Sequence, residues 1–448
     1  MTSRRLEPLP GRPGRPRTVT FTFDGRRMTG VAGEPIASAL HAGGVTVLSR
    51  SFKYHRPRGL HCMAGSCPSC AMRVDGVPGV ATCETPLRGG ETIMRERGWP
   101  SADRDVLRLL DVTSRLTPNG FQYRRLRRHQ RLFELVEPVL KRLAARGDLP
   151  EPVAAARLIT RHSRELAVDV GVIGGGLAGM RAALAAAAGG AGSVALVERR
   201  AQLGGVARLD RTRWPELDGL TRRIGRQSRI VLLSPATAFA WYESDRVLVA
   251  SGHGLVHLRA SRWVVATGAH PQPCAFPGND LPGVMLGDAV RRLLLDDVRP
   301  GDRVLIASGT DDGDSLAMEL RARGVTVVGV VPAADVERAH GRRRLGAVTV
   351  NGVRFACDVL CVDVARRPAD ELVRQLLSDG GIVIEDRSAA SVGAIRDGSV
   401  EVARGVWLAG DVLGVSSARG AAVQGEAAGI AAVAGNSVAR RPTEECCR

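Results

Sequence analysis

Apolar and polar positions alternate near the start of the chain. Val19 to Phe23 (VTFTF) has the two-residue period of a half-buried strand. Asp24-Gly25 is a hairpin signal, because both positions of a tight hairpin turn favour positive φ. Arg26 to Gly30 then reads as the return strand. Glu34 to Ala42 (EPIASALHA) reads as a short helix with Pro35 in its first turn, where a missing N–H costs nothing. From Arg124 to Ala145 the period becomes helical: Leu126, Leu132, Leu135, Val136, Val139, Leu140 and Leu143 share one face of an arginine-rich stretch. That face packs either on its own neighbours or on a second subunit. Farther along, short unbroken apolar runs replace alternation, as in strands covered on both sides. They are Val168–Ile173, Ser193–Val197, the ends of WVVATG (263–268) and VWLAGD (406–411), and the strands of a unit spanning Arg303–Val331. Helices of small residues, Met180–Ala188 and Gly420–Gly435, follow two of them.

This pattern predicts an α/β protein. A β-grasp, ferredoxin-like domain comes first, and a flavoprotein fold with two dinucleotide-type Rossmann units follows. The expected boundaries are a disordered basic tail (1–18), the ferredoxin-like domain (19–100) and a helical connector (101–165). After these come an FAD-type domain (166–290 with 386–440) and a degenerate NAD(P)-type domain (291–385).

The most informative stretch is VDVGVIGGGLAGMRAALAAAAGGAGSVALVE, Val168 to Glu198. Gly174, Gly176 and Gly179 have G-x-G-x-x-G spacing between a strand and a helix. Gly174 permits the tight turn, Gly176 lets the backbone approach a pyrophosphate, and Gly179 lets helix and strand close up. The helix N-terminus offers N–H groups and the positive end of its dipole to the phosphates. Glu198 follows Gly179 by 19 residues and is placed to accept from ribose hydroxyls. A carboxylate there disfavours a 2′-phosphate, so FAD or NAD is expected rather than NADP. Three later positions belong with this loop. Gly205, in Leu203-Gly204-Gly205, is a turn able to approach the flavin. Thr267-Gly268 ends one strand, and Gly410-Asp411 ends another, with Asp411 placed to bind a ribityl hydroxyl. No C-x2-C or C-x4-C follows Gly205, which argues against an active-disulfide reductase. No His-carboxylate or Cys-His constellation stands out around the flavin motifs, so no catalytic residue is assigned.

LHCMAGSCPSCAMRVDGVPGVATC carries the second chemistry: Cys62-x4-Cys67-x2-Cys70-x12-Cys83. Plant-type [2Fe–2S] sites use C-x4-C-x2-C and a distant fourth cysteine. Gly65 lets the loop aim N–H groups inward, and Asp75-Gly76 forms the hairpin that brings back Cys83. Zinc is the competing ion, but structural zinc favours paired C-x2-C units and only one such pair exists here. Four buried structural cysteines are a third reading. The basic loop His55, Arg56, Arg58 precedes the cluster and reads as a solvated face, with a partner or anionic cofactor as the alternative.

The Arg303–Val331 unit repeats the strand–turn–helix–strand plan with a broken fingerprint. Gly309 and Gly313 remain, while Asp311, Asp312 and Asp314 crowd the turn and would repel a pyrophosphate. A Rossmann-type domain without nicotinamide is expected. Cys357 and Cys361 read as buried structural residues, and Cys446-Cys447 have no assignable role.

Composition adds limits. The net charge is +17, and 63 residues are Lys or Arg. The arginines are spread along the chain and accompany no nucleic-acid motif, so nucleic acid is not the expected partner. No apolar run is long enough for a membrane span, and Arg4-Arg5 lacks the apolar region of a twin-arginine signal. Clustered cysteines indicate a metal site in a reducing compartment, so the expected location is the cytoplasm.

In order, HRPRG (55–59), the cysteine cluster, PNGFQYRRL (118–126), GGGLAG (174–179), ATG (266–268) and AGD (409–411) make a set. It resembles the α-type subunits of heteromeric sarcosine oxidase, opine oxidases and dye-linked proline or hydroxyproline dehydrogenases, with hydrogen cyanide synthase a further relative. The resemblance covers roughly residues 19 to 440. It implies that Gly174, Gly176, Gly179, Glu198 and Asp411 carry the nucleotide, which in that family is FAD, NAD or ATP. It also implies amine oxidation at a flavin on a separate β subunit, often with an FMN between the two. All four cysteines are kept and the chain is short, which fits the opine- and proline-dehydrogenase branch. The expected function is an electron-transfer subunit holding FAD and a [2Fe–2S] cluster for an amine or imino-acid oxidase or dehydrogenase. The alternatives are a self-contained NADH:acceptor reductase and a non-catalytic scaffold with a structural nucleotide.

Overall fold

A computed structural model describes residues 4–8, 17–115, 131, 133–135, 137–138, 149–152, 154, 162–209, 214–242, 245–252, 254–310, 312–379, 394–396, 399–414 and 417–434. Most of the expected amphipathic helix at 124–145, the turn at 118–120, Asp311 and Cys446-Cys447 lie outside the described residues. The chain forms two compact units. One is Met1–Ile159 with Pro271–Ala365, and the other is Thr160–His270 with Arg366–Arg448. The crossings differ from the sequence boundaries: 271–290 packs in the first unit and 366–379 in the second.

In the first unit a β-grasp sheet has the strand order Arg26–Val31, Thr18–Phe23, Thr92–Met94, Ala71–Val74, Val77–Ala81. The predicted hairpin closes with Phe23 opposite Arg26, and Asp24 (φ 44°) and Gly25 (φ 77°) supply the two positive φ angles. The sheet grips the helix Ile36–Ala42, all of whose residues are buried. The same unit holds a parallel four-stranded sheet in the order Val284–Leu286, Val359–Asp363, Arg303–Ser308, Thr326–Pro332. One apolar core runs through both parts: Leu40, Leu48 and Leu60 share it with Met285, Val290 and Leu294. The cluster-type domain is therefore fused to the second Rossmann-type half by a common core.

Residues 4–8 lie in the segment whose composition suggests an unordered tail, yet they cross this junction as a strap. Arg5 makes a two-pronged pair with Glu34 at 2.6 and 2.5 Å. Arg4 N donates to Ala42 O, and Leu6 N donates to Asp297 O. The buried Glu34 carboxylate supplies the partner that the tail's composition does not reveal.

In the second unit a long sheet runs Ile230–Leu233, Val194–Val197, His162–Ile173, Gly254–Val265, Val406–Leu408, Ser399–Ala403, Ala394–Arg396. Its central strands are parallel and buried, which accounts for their unbroken apolar runs. The helix Leu177–Ala188 packs closely on Ala418–Ala434. Cβ atoms built on Gly425 and Gly429 would overlap the carbonyl oxygens of Ala178 and Ala182. Small residues in both helices thus set the interaxial distance.

Candidate cofactor sites

The cysteine loop brings the four thiols together. Met63 (φ 46°) and Gly65 (φ 66°) turn the backbone left-handed just after Cys62. A single 3₁₀ turn, Pro68–Cys70, begins at Cys67. The hairpin Ala71–Val74/Val77–Ala81 returns the chain to Cys83. Thr82, fully buried, donates its hydroxyl to Cys70 O at 2.7 Å and pins the return. Cys62, Cys70 and Cys83 are buried, while Cys67 is half-buried. Cys62 contacts Cys67 and Cys83, and Cys83 contacts Cys70. Ala64 N donates to Cys62 Sγ at 3.4 Å, and the Ser66 backbone also bonds that sulfur.

These contacts split the thiols. Hydrogen bonds from Cys67 and Cys83 push Cys62 well below the ordinary thiol range, and one from Cys83 pushes Cys70 down. Cys67 and Cys83, which donate to Cys62, are pushed up. Buried sulfurs that lean on one another's protons are the donor set of a positively charged centre. Cys62 touches Cys67 and Cys83, and Cys83 touches Cys70, so all four thiols line one site. The donor set fits a [2Fe–2S] cluster.

The glycine loop of the second unit is equally specific. Gly174 has φ 107°, and a Cβ there would overlap Ala266 O; a Cβ on Gly179 would overlap Gly174 O. Gly176 differs: a Cβ there meets nothing within 4 Å, so the open side of the turn is free space. Gly176 caps the helix without a side-chain hydrogen bond, and no acid lies in the first turn. The helix N–H groups therefore keep no side-chain cap and face no carboxylate of that turn, which suits a pyrophosphate. Gly205 (φ 55°) lies with its Cβ position 3.1 Å from Gly176 Cα, and Gly204 N donates to Gly175 O at 2.8 Å. The Glu198 carboxylate, buried, accepts from Gly175 N and Arg200 N, each at 2.8 Å.

The other expected residues gather around the same helix N-terminus. Thr267 follows Ala266 and donates its hydroxyl to Ala369 O at 2.6 Å, while Gly268 (φ 78°) accepts from Ala369 N. Gly410 (φ 80°) approaches Ala178 and donates to Gln424 Oε1 at 3.0 Å. Asp411 opens the turn Asp411–Leu413 directly after it. Gln424 was not among the residues expected from the sequence. Its signal was a lone amide in a helix of small apolar residues.

Comparison with known proteins agrees with this geometry. A family model for a 2Fe-2S iron-sulfur cluster binding domain matches residues 16–98. A pyridine nucleotide-disulphide oxidoreductase model matches residues 168–306. The sarcosine oxidase subunit alpha of Rhizobium meliloti (strain 1021) is 32% identical, over 81% of this chain and 39% of that one. Over most of its own length the chain is similar to this sarcosine oxidase α subunit. The corresponding subunit of Corynebacterium sp. (strain U-96) is 26% identical over 75% of this chain and 33% of its own length. The chain thus spans well under half the length of those relatives. An L-proline dehydrogenase from P. horikoshii shares the fold, with TM-score 0.70 at 22% identity over 96% of this chain and 75% of that one. The cofactors are a [2Fe–2S] cluster and FAD, carried on an oxidoreductase-type scaffold. Among the described residues no helix is long and apolar enough to cross a membrane.

Proposed function

We propose that this chain is the electron-transfer subunit of a heteromeric oxidase or dehydrogenase acting on the CH–NH bond of an amine or imino acid. Sarcosine, proline, hydroxyproline and opines are the candidate substrates. The observation that carries the reading is the joint presence, in one chain, of four facing thiols and a glycine turn whose helix has no side-chain cap and no acid in its first turn. Bound FAD takes electrons in pairs and a [2Fe–2S] cluster passes them singly, so the two together link a two-electron donor to a one-electron acceptor.

The residues divide that work. Cys62, Cys67, Cys70 and Cys83 would hold the two irons, with Ala64 and Ser66 N–H groups biasing the Cys62 sulfur toward its anion. Gly174, Gly176 and Gly179 would admit the pyrophosphate to the helix N-terminus. Glu198 would exchange a backbone partner for a ribose hydroxyl, and Asp411 would receive a ribityl hydroxyl, with Gly205, Thr267, Gly268 and Gly410 shaping the walls. No residue of this chain is assigned acid–base chemistry; the substrate would be oxidised on an amine-oxidase-type flavoprotein partner, with an FMN shared between the two. Thiolate ligation supports a reducing compartment, and the cytoplasm is the location this reading takes.

The test is anaerobic purification with a candidate amine-oxidase-type flavoprotein partner co-expressed. The expected result is two irons and two acid-labile sulfides per chain, extractable FAD, and a rhombic EPR signal on adding the amine. Protein without iron or sulfide, or a colourless extract, would falsify the reading.

A further inference from the structure

The second Rossmann-type half, 271–365, repeats the glycine-turn plan with opposite chemistry. Its helix Asp312–Ala322 opens on two carboxylates, Asp312 and Asp314, whereas Leu177–Ala188 has none in its first turn. The turn is also satisfied from within. Ser308 Oγ donates to Thr310 O at 2.7 Å, Thr310 Oγ1 accepts from Asp312 N at 3.4 Å, and Gly309 N donates to Asp363 O at 2.9 Å. At the same strand ends Arg291 pairs with Asp363 at 2.9 Å, both nearly buried, and reaches Asp312 O at 3.5 Å. The Gly309, Thr310 and Asp312 amides and the Arg291 guanidinium already have partners within the chain, and the carboxylates repel a dinucleotide's phosphates.

What this half does hold is the cluster loop. Leu286 N donates to His61 O at 2.9 Å and His61 Nδ1 donates to Val284 O at 3.0 Å, so the residue before Cys62 is strapped to the edge strand Val284–Leu286. A Cβ on Gly59 would lie 2.9 Å from Pro282 Cα, and Arg58 pairs with Asp280 at 3.0 Å. Cys62 and Ala64 share one apolar cluster with Phe276, Val284, Leu286 and Leu305.

We propose that residues 271–365 are closed to NAD(P)H and serve as the mount that orients the cysteine loop. Asp312, Asp314 and the Arg291–Asp363 pair determine the exclusion, and Phe276 with the Val284–Leu286 strand does the positioning. The proposal takes from the reading above only that the loop holds a cluster. Failure of that reading appears as iron missing from the wild type, whereas failure here appears at full iron content.

Anaerobic holoprotein is mixed with NADH or NADPH at about 1 mM, and binding is followed by equilibrium dialysis and the flavin spectrum. The expected result is no bound nicotinamide and an unchanged oxidised flavin. A Kd below about 0.1 mM, or bleaching of the flavin, overturns the closure. For the mount, Phe276→Ala is reduced with dithionite and its EPR spectrum recorded, with Phe276→Leu read the same way if the alanine variant loses iron. Shifted g-values at unchanged iron content are expected. A spectrum superimposable on the wild type overturns the mount.

Discussion

Replacing glycine by alanine at two helical positions should change stability in opposite directions, and the structure sets both signs. Gly225, exposed in the helix Leu217–Arg226, has nothing within 4 Å of the place a Cβ would occupy. Gly225→Ala therefore keeps only the propensity gain, about 0.5–1 kcal/mol. Gly425 lies in Ala418–Ala434, where the added Cβ would overlap Ala178 O and sit 2.6 and 2.7 Å from Ala178 Cα and C. These are backbone atoms of a packed helix and cannot swing aside. The overpacking cost, roughly 1–3 kcal/mol and at the upper end against backbone, exceeds the same propensity gain. Gly425→Ala should be destabilising by about 1–2 kcal/mol net. The damage also reaches the cofactor, because Gln424, which holds Gly410 N at 3.0 Å, is the adjacent residue, and Gly410 itself leans on Ala178. The assay is thermal unfolding followed by flavin release, with FAD affinity measured by titration of stripped protein. At roughly 2–4 °C per kcal/mol for a unit of this size, Gly225→Ala should rise by a few degrees and Gly425→Ala fall by several. The reasoning fails if Gly425→Ala matches or exceeds the wild type, or if it binds FAD unchanged while its Tm falls.

Other outcomes follow from the same structure. Cys67→Ala should empty the protein of iron and sulfide while leaving extractable FAD near the wild-type amount, since the glycine cradle belongs to the other unit; joint loss of both cofactors would contradict independent sites. Arg5→Ala strands the Glu34 carboxylate, whose side chain is 4% exposed, with only the Val31 amide left to it among the described residues, and should cost about 1–3 kcal/mol in urea unfolding; no change would mean that the strap is not held by this pair. His41 is driven down to about 4, first by burial and then by the Arg4 charge. Its depressed folded value means that the unfolded chain takes up the proton first, so the contribution is intact above about pH 6.5 and is lost as pH falls toward 4, by about 3 kcal/mol in all. The stability difference between pH 7 and pH 4.5 should therefore shrink in His41→Gln; an equal difference in both proteins would remove His41 as the cause.

The parts legible in the sequence are those whose physics is local. The hairpin at Asp24-Gly25, the glycine turn at 174–179 and the cysteine loop at 62–70 each depend on backbone angles and spacings within a few residues, and each forms as its residues require. Charge at a helix start is local too, so the carboxylates of Asp312 and Asp314 could be read as hostile to phosphate before any packing was known.

Tertiary structure decided what depends on partners far along the chain. Arg5 looks like part of an unordered tail until Glu34 and the Asp296–Val298 segment meet it, because composition carries no information about which buried carboxylate lacks a cation. Gln424 gains meaning only where its helix returns beside Gly410, and Phe276 only where its strand neighbours receive His61 and Cys62. The two crossings between the units follow the same rule: apolar runs specify that a strand is buried, while which sheet buries it is settled by long-range pairing that no run of residues encodes alone.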